Sequence, residues 1–338
     1  MILVTGGTGL IGSHLLLALC RRGLEVRATY RFQSSQKNVE RLFKRNHVRQ
    51  LYANIEWVEA DILEVEQLYM AMQNVDWVFH CAGNVSFNPR KAIRVTQVNV
   101  IGSANVVNVA IELKINKLCF VSSTAALGKV MGSSLINEDA IWVADANNST
   151  YANSKYMAEM EMWRGFEEGL NGVIVNPAIV IGPGVWGRSS TRVFSQIFKG
   201  MRFYSHGGNG YIDVRDVAEI MIRLMEGDFN EQRYVLVSEN LSFEDLFKMI
   251  AKQFNKSDRL MKATPLMGEI AWRLLAVVSA LTGKSPVISK DLVRAGNWTN
   301  KFDNSKITKA LDYKFIPVET SIYDTCQVFL QEAVLQEL

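Results

Sequence analysis

Cysteine is sparse in this chain. The four thiols, Cys20, Cys81, Cys119 and Cys326, lie far apart in 338 residues, with no CxxC or Cys/His spacing. That pattern excludes a zinc cluster and a disulfide framework as organising principles, and no metal site is expected. A strong charge of one sign is also missing. The balance of 37 Lys and Arg against 34 Asp and Glu leaves a formal +3, too little to suggest nucleic acid or an anionic membrane. The one basic run, Arg41, Lys44, Arg45, His47 and Arg49, reads as a solvated helix face. Long apolar runs are lacking too. Residues 266–281 are interrupted by Glu269 and Arg273, and the apolar stretch after Arg273 is about half a bilayer span. Internal repeats and low-complexity segments are absent. The chain opens directly on a strand-like run with no room for a signal peptide, so a cytoplasmic location is expected.

The chain is rich instead in hydrophobic residues, at 48%, enough to bury a full globular core. Short β-branched runs alternate with longer helical patterns. Strands are expected at 2–5, 25–30, 55–60, 76–80, 117–122, 173–176 and 233–237, with the first helix over 13–22. That alternation implies βαβ units and a doubly wound α/β fold, a parallel sheet of about seven strands covered on both faces. After residue 181 the texture changes. Gly182, Gly184 and Gly187, then Gly207, Gly208 and Gly210, mark loops, and from 241 the pattern is mainly helical.

The first strand runs into Thr5-Gly6-Gly7-Thr8-Gly9-Leu10-Ile11-Gly12, which satisfies G-x-G-x-x-G at Gly7, Gly9 and Gly12. As a bare pattern this is weak, arising by composition in roughly one such chain in ten. Its position makes it strong. A strand-to-helix turn is where backbone must approach a diphosphate closely and a helix N-terminus stabilises negative charge. A Rossmann dinucleotide-binding unit is therefore expected over 1–181 plus 211–237, with 182–210 plus 238–338 forming a smaller substrate-binding lobe. The second strand ends Thr29-Tyr30-Arg31 with no acid close behind. An acid there suits the ribose hydroxyls of NAD, whereas a guanidinium grips a 2′-phosphate with two charge-assisted hydrogen bonds. Arg31 therefore points to NADP(H), with Lys37 as a second contact, and NAD(H) stays open.

Tyr151-Ala152-Asn153-Ser154-Lys155 places a phenol and an ammonium on one helix face. Chance yields such a pair in about every second chain of this size, so its place after the fifth strand is what informs. A phenol with a pKa near 10 is a poor base at neutral pH. A cation about 5 Å away, at an effective dielectric of about 20, lowers it by roughly two units, towards the range of general acid–base catalysis. The fifth strand ends Val121-Ser122-Ser123-Thr124-Ala125, bringing hydroxyls to the sheet edge where ligands bind. A one-residue slip turns a strand side chain to the other face, so Ser122, Ser123 and Thr124 all remain candidates on this ground.

Together these features resemble the extended (atypical) short-chain dehydrogenase/reductase superfamily, the NAD-dependent epimerase/dehydratase family. The resemblance covers most of the chain and is densest before residue 220. TGGTGLIGSHL is similar to its cofactor loop, VSSTAALG to its serine strand, and NPAIVIGPG to the turn after its sixth strand. It implies Asp61 and Ile62 beside the adenine, and His80, Cys81, Ala82 and Gly83 along the nicotinamide ribose. Pro177, Ala178 and Val180 would face the carboxamide, and Ser122 would also touch the cofactor. Members whose strand ends SSxAxxG use the second serine, which implies Ser123 beside Tyr151 and Lys155. Lys155 would also bind the nicotinamide ribose. Asn99 in VNVIGSANV is similar to the family's helical Asn. Asn84, Val85, Thr124 and Trp186 are the candidate substrate contacts. The Arg31 ending and AGNVSF look closest to the dihydroflavonol-4-reductase-like branch, with 3-beta-hydroxysteroid dehydrogenases as near neighbours. Relatives often pair through helices equivalent to 91–113 and 151–168, so a homodimer is an expectation.

The leading expectation is thus an NADP-dependent oxidoreductase that interconverts a small-molecule aldehyde or ketone and its alcohol. One alternative is a nucleotide-sugar epimerase or dehydratase with retained NAD. The Arg31 ending and the missing acidic pair in Thr124-Ala125-Ala126 argue against it. The other alternative, a non-catalytic redox sensor, is disfavoured by the intact Tyr151/Lys155 pair. Asp216 is expected to cap the helix running to 225. Trp186, Phe194, Phe198 and Phe203 read equally as pocket wall or as core.

Overall fold

The structure is a computed structural model that describes residues 1–128, 130, 132–145, 148–256, 260–282 and 289–336. Seven strands form the central sheet: β1 (Ile2–Thr5), β2 (Val26–Tyr30), β3 (Ile55–Glu59), β4 (Trp77–His80), β5 (Lys117–Val121), β6 (Gly172–Pro177) and β7 (Gln232–Leu236). Their order is β3-β2-β1-β4-β5-β6-β7, with every neighbouring pair parallel. This is the doubly wound Rossmann order, which reverses direction next to β1. The longer helices that frame the sheet and the second lobe are α1 (Leu10–Arg21), α2 (Gln36–Arg45), α3 (Gly102–Glu112), α4 (Thr150–Glu167), α5 (Val214–Glu226), α6 (Phe243–Gln253), α7 (Pro265–Thr282) and α8 (Val318–Gln336).

The period of two along each strand sends alternate residues into two separate cores. Ile2, Val4, Cys119, Val121, Val173 and Val175 pack under α1 and α5, against Leu15, Leu16, Leu19, Ile220 and Met221. Leu3, Leu118, Phe120 and Ile174 face the other way, onto Val106 and Val107 of α3 and Met162 and Phe166 of α4. Both faces are covered, so β1, β5 and β6 are buried at every position and are mostly apolar on both faces.

The second lobe is built differently. Strand Gly208–Asp213 pairs in parallel with Ile179–Ile181 and antiparallel with Glu239–Ser242. This small sheet is not foreseen from the sequence, because its strands are short and its central one carries Gly208 and Gly210. A Cβ at Gly210 would lie 2.9 Å from Phe302 Cδ2, so the glycine lets that ring close over the strand. A third core gathers Phe194, Ile197, Phe247, Ile250, Val318, Ile322 and Phe329. Phe198 and Phe254 join Phe329 there at ring separations of 5.0–5.3 Å. Phe194 and Phe198 are therefore core, while Phe203 is exposed. The expected cap is corrected as well. Asp213, not Asp216, caps α5 by accepting from the Arg215 amide at 2.7 Å. Asp216 is buried and accepts from Tyr313 Oη and the Ile316 amide, both at 2.9 Å. Among the described residues, no helix is long and apolar enough to cross a membrane.

Candidate active site

The glycine loop closes on itself and on the end of β4. Gly6 has φ +68°, and a Cβ there would lie 2.6 Å from the Ala82 backbone. A Cβ at Gly12 would come within 2.3 Å of Gly6 O. The Gly9 amide donates to Gly6 O at 2.9 Å, tightening the turn between them. Helix α1 then starts after Gly9 with no side-chain cap and no acid in its first turn. An α-helix leaves its first amides unpaired, and its amino end carries about half a positive charge. An open turn lined by Thr8, Gly9 and Leu10, ending in uncapped amides, fits a dinucleotide diphosphate.

The adenosine end departs from expectation in one respect. Arg31 does end β2, but an acid reaches it across the sheet: Arg31 Nη1 is 3.8 Å from Asp61 Oδ2, which Arg94 Nη2 also approaches at 3.4 Å. Asp61 comes from the end of β3, so its proximity cannot be read along β2. Ile62 beside it is buried, and a Cβ at Gly102 would meet its Cδ1 at 2.4 Å. The basic run is also more than a solvated face. Arg41 and Arg45, with Asn38, line a small cavity with Thr8, Gly9, Leu10, Ser13, Pro183, Gly184, Val185 and Glu332. Arg45 Nη1 donates to Glu332 Oε1 at 3.2 Å, and Trp186 Nε1 to Glu332 Oε2 at 2.6 Å. Sequence reasoning does not reach these residues as site candidates. The available signal is the i, i+4 spacing of Arg41 and Arg45 on the face of α2 nearest the loop. The Trp186 ring packs edge-on against Phe329, which places it in the third core and not beside the phenol.

At the carboxyl end of β5 the pleat separates the two serines. Ser122 is buried and donates to Glu159 Oε2 at 2.6 Å. Its hydroxyl is thereby committed to that carboxylate. Ser123 Oγ accepts from the Ala125 amide at 3.1 Å, and its hydroxyl lies near enough to the Tyr151 phenol to favour the ionised form. Thr124 begins the 3-10 turn Thr124–Ala126. Tyr151 sits in the first turn of α4, whose Ser149 cap accepts from the Ala152 amide at 3.1 Å. Phe87 lies edge-on to the Tyr151 ring, with centroids 5.7 Å apart.

The electrostatics also depart from expectation. Burial pushes the Tyr151 phenol upward, and the nearby Ser123 hydroxyl pulls it partly back. Lys155 does not dominate the phenol. Its Nζ donates to Val121 O at 2.8 Å and lies 4.8 Å from the centre of the Phe120 ring. Burial lowers the Lys155 ammonium to about 8, with Glu159 and Cys81 opposing the shift.

Two other expected site residues have different partners. Asn99 lies in a π-helical turn, Gln97–Ile101, fully buried. Its Oδ1 accepts from the Asn84 amide at 2.7 Å, and its Nδ2 donates to Asn84 O and Ser154 Oγ. Its side-chain amide thus tethers the 84 loop to α4. His80 is sealed in the interior. Its Nδ1 is hydrogen-bonded to Thr5 Oγ1 at 2.7 Å and its Nε2 to Ser103 Oγ at 3.1 Å. Burial drives its imidazole down to about 3, so its side chain is a neutral structural link. Cys81 is half-buried, with its thiol pushed up to about 12. Ala82 and Gly83 continue the chain past the glycine loop, and Val85 is exposed. Pro177 closes β6, while Ala178 and Val180 are mostly buried at 9% exposure each. No cluster of metal-ligating side chains occurs among the described residues.

This is the arrangement of a dinucleotide-dependent enzyme, and residues 2–236 match the model of the NAD dependent epimerase/dehydratase family. The chain belongs to that family and is an NAD(P)-dependent enzyme of short-chain dehydrogenase/reductase type. It is similar to a putative dihydroflavonol 4-reductase of Synechocystis sp., 28% identical over 96% of this chain and 93% of that protein. It is also similar to cinnamoyl-CoA reductase 1 of Petunia hybrida, 26% identical over 96% and 90%. Among solved structures, gox2253 superposes with a TM-score of 0.80 at 26% identity, covering 98% of both chains. The UDP-glucose 4-epimerase of Thermotoga maritima superposes at 0.76 with 21% identity over 98% and 99%, a likeness of fold alone.

Proposed function

We propose that this protein reduces a small-molecule aldehyde or ketone with NADPH, or runs the reverse oxidation, using Ser123, Tyr151 and Lys155. The observation that carries the reading is the convergence of Ser123, at the carboxyl end of β5, with Tyr151, in the first turn of α4, on the side where the glycine loop opens. NADPH, when bound, supplies the hydride that reaches the carbonyl carbon. Ser123 donates a hydrogen bond to the carbonyl oxygen, and Tyr151 gives that oxygen its proton. Burial keeps the phenol protonated at neutral pH, which suits a proton donor. The Lys155 ammonium offsets the negative charge left behind. Gly6, Gly7, Gly9 and Gly12, with the amides of Leu10 and Ile11, hold the diphosphate. Arg31 and Lys37 hold the 2′-phosphate, with Arg41 on the same side of the loop.

The division into a dinucleotide-binding unit and a substrate lobe is part of this proposal, although strand Gly208–Asp213 runs across its 210/211 boundary. Pairing of two copies is proposed too, supported by exposed Ile93, Ile101 and Met157 within 91–113 and 151–168. A second reading, sugar-nucleotide epimerisation with retained NAD, is favoured by the Asp61 carboxylate beside Arg31, which suits a free ribose 2′-hydroxyl. A binding titration of NADPH against NADH, repeated on Arg31→Ala, separates the two. A clear NADPH preference that the substitution removes supports reduction. Equal affinities, or NAD co-purifying with the protein, support epimerisation. A panel of carbonyl compounds then defines the substrate.

A further inference from the structure

Glu159 follows Lys155 by one turn of α4 and Tyr151 by two, so all three side chains share a face. It is 1% exposed. A carboxylate this deep stays ionised only when charge and hydrogen bonds compensate for lost water. Both oxygens are engaged: Oε2 accepts from Ser122 Oγ at 2.6 Å and Asn176 Nδ2 at 2.7 Å, and Oε1 from Arg233 Nη1 at 3.0 Å. Asn176 Nδ2 also donates to the main-chain carbonyl of Ser123 at 3.1 Å. Arg233 in turn donates to Glu138 O and Ala140 O, tying down the segment after the serine strand. The carboxylate is thus two hydrogen bonds from the backbone of Ser123 and one helical turn from Lys155.

We propose that Glu159 is a positioning residue for the reaction, a buried carboxylate that locks the Ser122–Ser123 strand end in register and supplies the counter-charge for the Lys155 ammonium. The proposal rests on the reductase reading for its catalytic consequence. The groups around Lys155 support the assignment. From β5 come the Val121 carbonyl and the Phe120 ring. From the end of β4 come His80 and Cys81, held neutral by burial. On its own helix stand Tyr151, also kept protonated by burial, and Glu159, the larger of the two groups that favour the charged lysine. Facing Glu159 from β7 is Arg233, with Glu138 beyond it accepting from the Val235 amide at 2.7 Å. Arg233 pairs with the carboxylate at 3.0 Å, and Glu159 still favours the charged form of Lys155 from one turn along α4.

The test is Glu159→Gln, which keeps the shape and removes the charge. Turnover is expected to fall about tenfold or more with little change in KM, because the substrate does not touch this residue. The alkaline limb of the kcat profile, set by Lys155, should move down by about one pH unit. Nitrogen NMR of the lysine side chains, with Lys155 assigned by its loss in Lys155→Met, should show the same shift without any turnover. A chain that reduces no carbonyl would therefore sink the functional reading while leaving this inference measurable. Ser122→Ala removes one hydrogen bond and keeps the charge, so its Lys155 titration should match the unmodified protein. If Glu159→Gln does not fold, Glu159→Asp takes its place, with a smaller downward shift expected from the withdrawn carboxylate. A folded Gln or Asp variant whose Lys155 titrates as in the unmodified protein overturns the proposal, as does an equal shift in Ser122→Ala.

Discussion

The two halves of this molecule obey different rules. In the seven-stranded sheet the strands are all parallel and the central ones are buried on both faces, with the candidate chemical groups gathered at the carboxyl edge. In the lobe after residue 181, a three-stranded sheet, an aromatic cluster and two long helices, α7 and α8, make a shape with few reactive groups. The difference teaches where chemistry and where stability should be sensitive. Substitutions at the sheet edge should cost activity and leave the fold intact, whereas those in the lobe core should cost stability first.

The sharpest way to break that contrast is Tyr151→Phe. Losing the proton donor should lower kcat by about 10²–10⁴-fold, while NADPH binding and the melting transition stay near those of the unmodified protein. A large loss of stability instead would show that the two halves are not separable. Next is Phe329→Ala, at the centre of the aromatic cluster. It should destabilise the protein by about 3–5 kcal/mol, read from urea unfolding. An unchanged urea midpoint would deny the lobe a core of its own.

A smaller effect concerns the buried histidines. His80 and His14 are held near 3 and near 4 in the folded chain, against an ordinary 6.5. A base whose folded pKa is depressed contributes stability that is fully present above 6.5. That stability is lost as pH falls towards the folded value, because only the unfolded chain takes up the proton. Each histidine should remove up to about 1.4 kcal/mol per pH unit between roughly 6 and 4. His80→Gln should flatten that decline by one such increment, measured as the urea midpoint at pH 7 and pH 5. Asp216, raised to about 6 by burial, works in the opposite sense, so the difference between variant and unmodified protein is the quantity to compare. Last, Arg31→Ala should weaken NADPH about 10-fold, and NADH little, for one lost charge-assisted pair. Equal losses for both would shift the 2′-phosphate role to Arg41.

Legibility in the sequence tracks the range of each interaction. The glycine loop and the Tyr151–Lys155 spacing are local. The loop is set largely by φ at Gly6 and by the close approach of Gly12 to Gly6, and the pair by the pitch of one helix, so both appear in the letters themselves. Ser122 and Ser123 are chemically alike, and only the phase of β5 against Glu159 and Tyr151 tells them apart. For Asn99 and His80 the letters do not show what the side chains bind. Their partners, Asn84 and Ser154 for one and Thr5 and Ser103 for the other, come from 15 to 75 residues away.

By itself the sequence determined the parallel sheet, the diphosphate turn and the residue types available for proton transfer, because periodicity and short-range sterics act within a few residues. Tertiary structure alone decided which serine meets the phenol, that Asp61 reaches Arg31, and that Glu159 stands behind Lys155. Those outcomes depend on how strands and helices distant in the chain are brought side by side, and burial then sets which groups keep their charge.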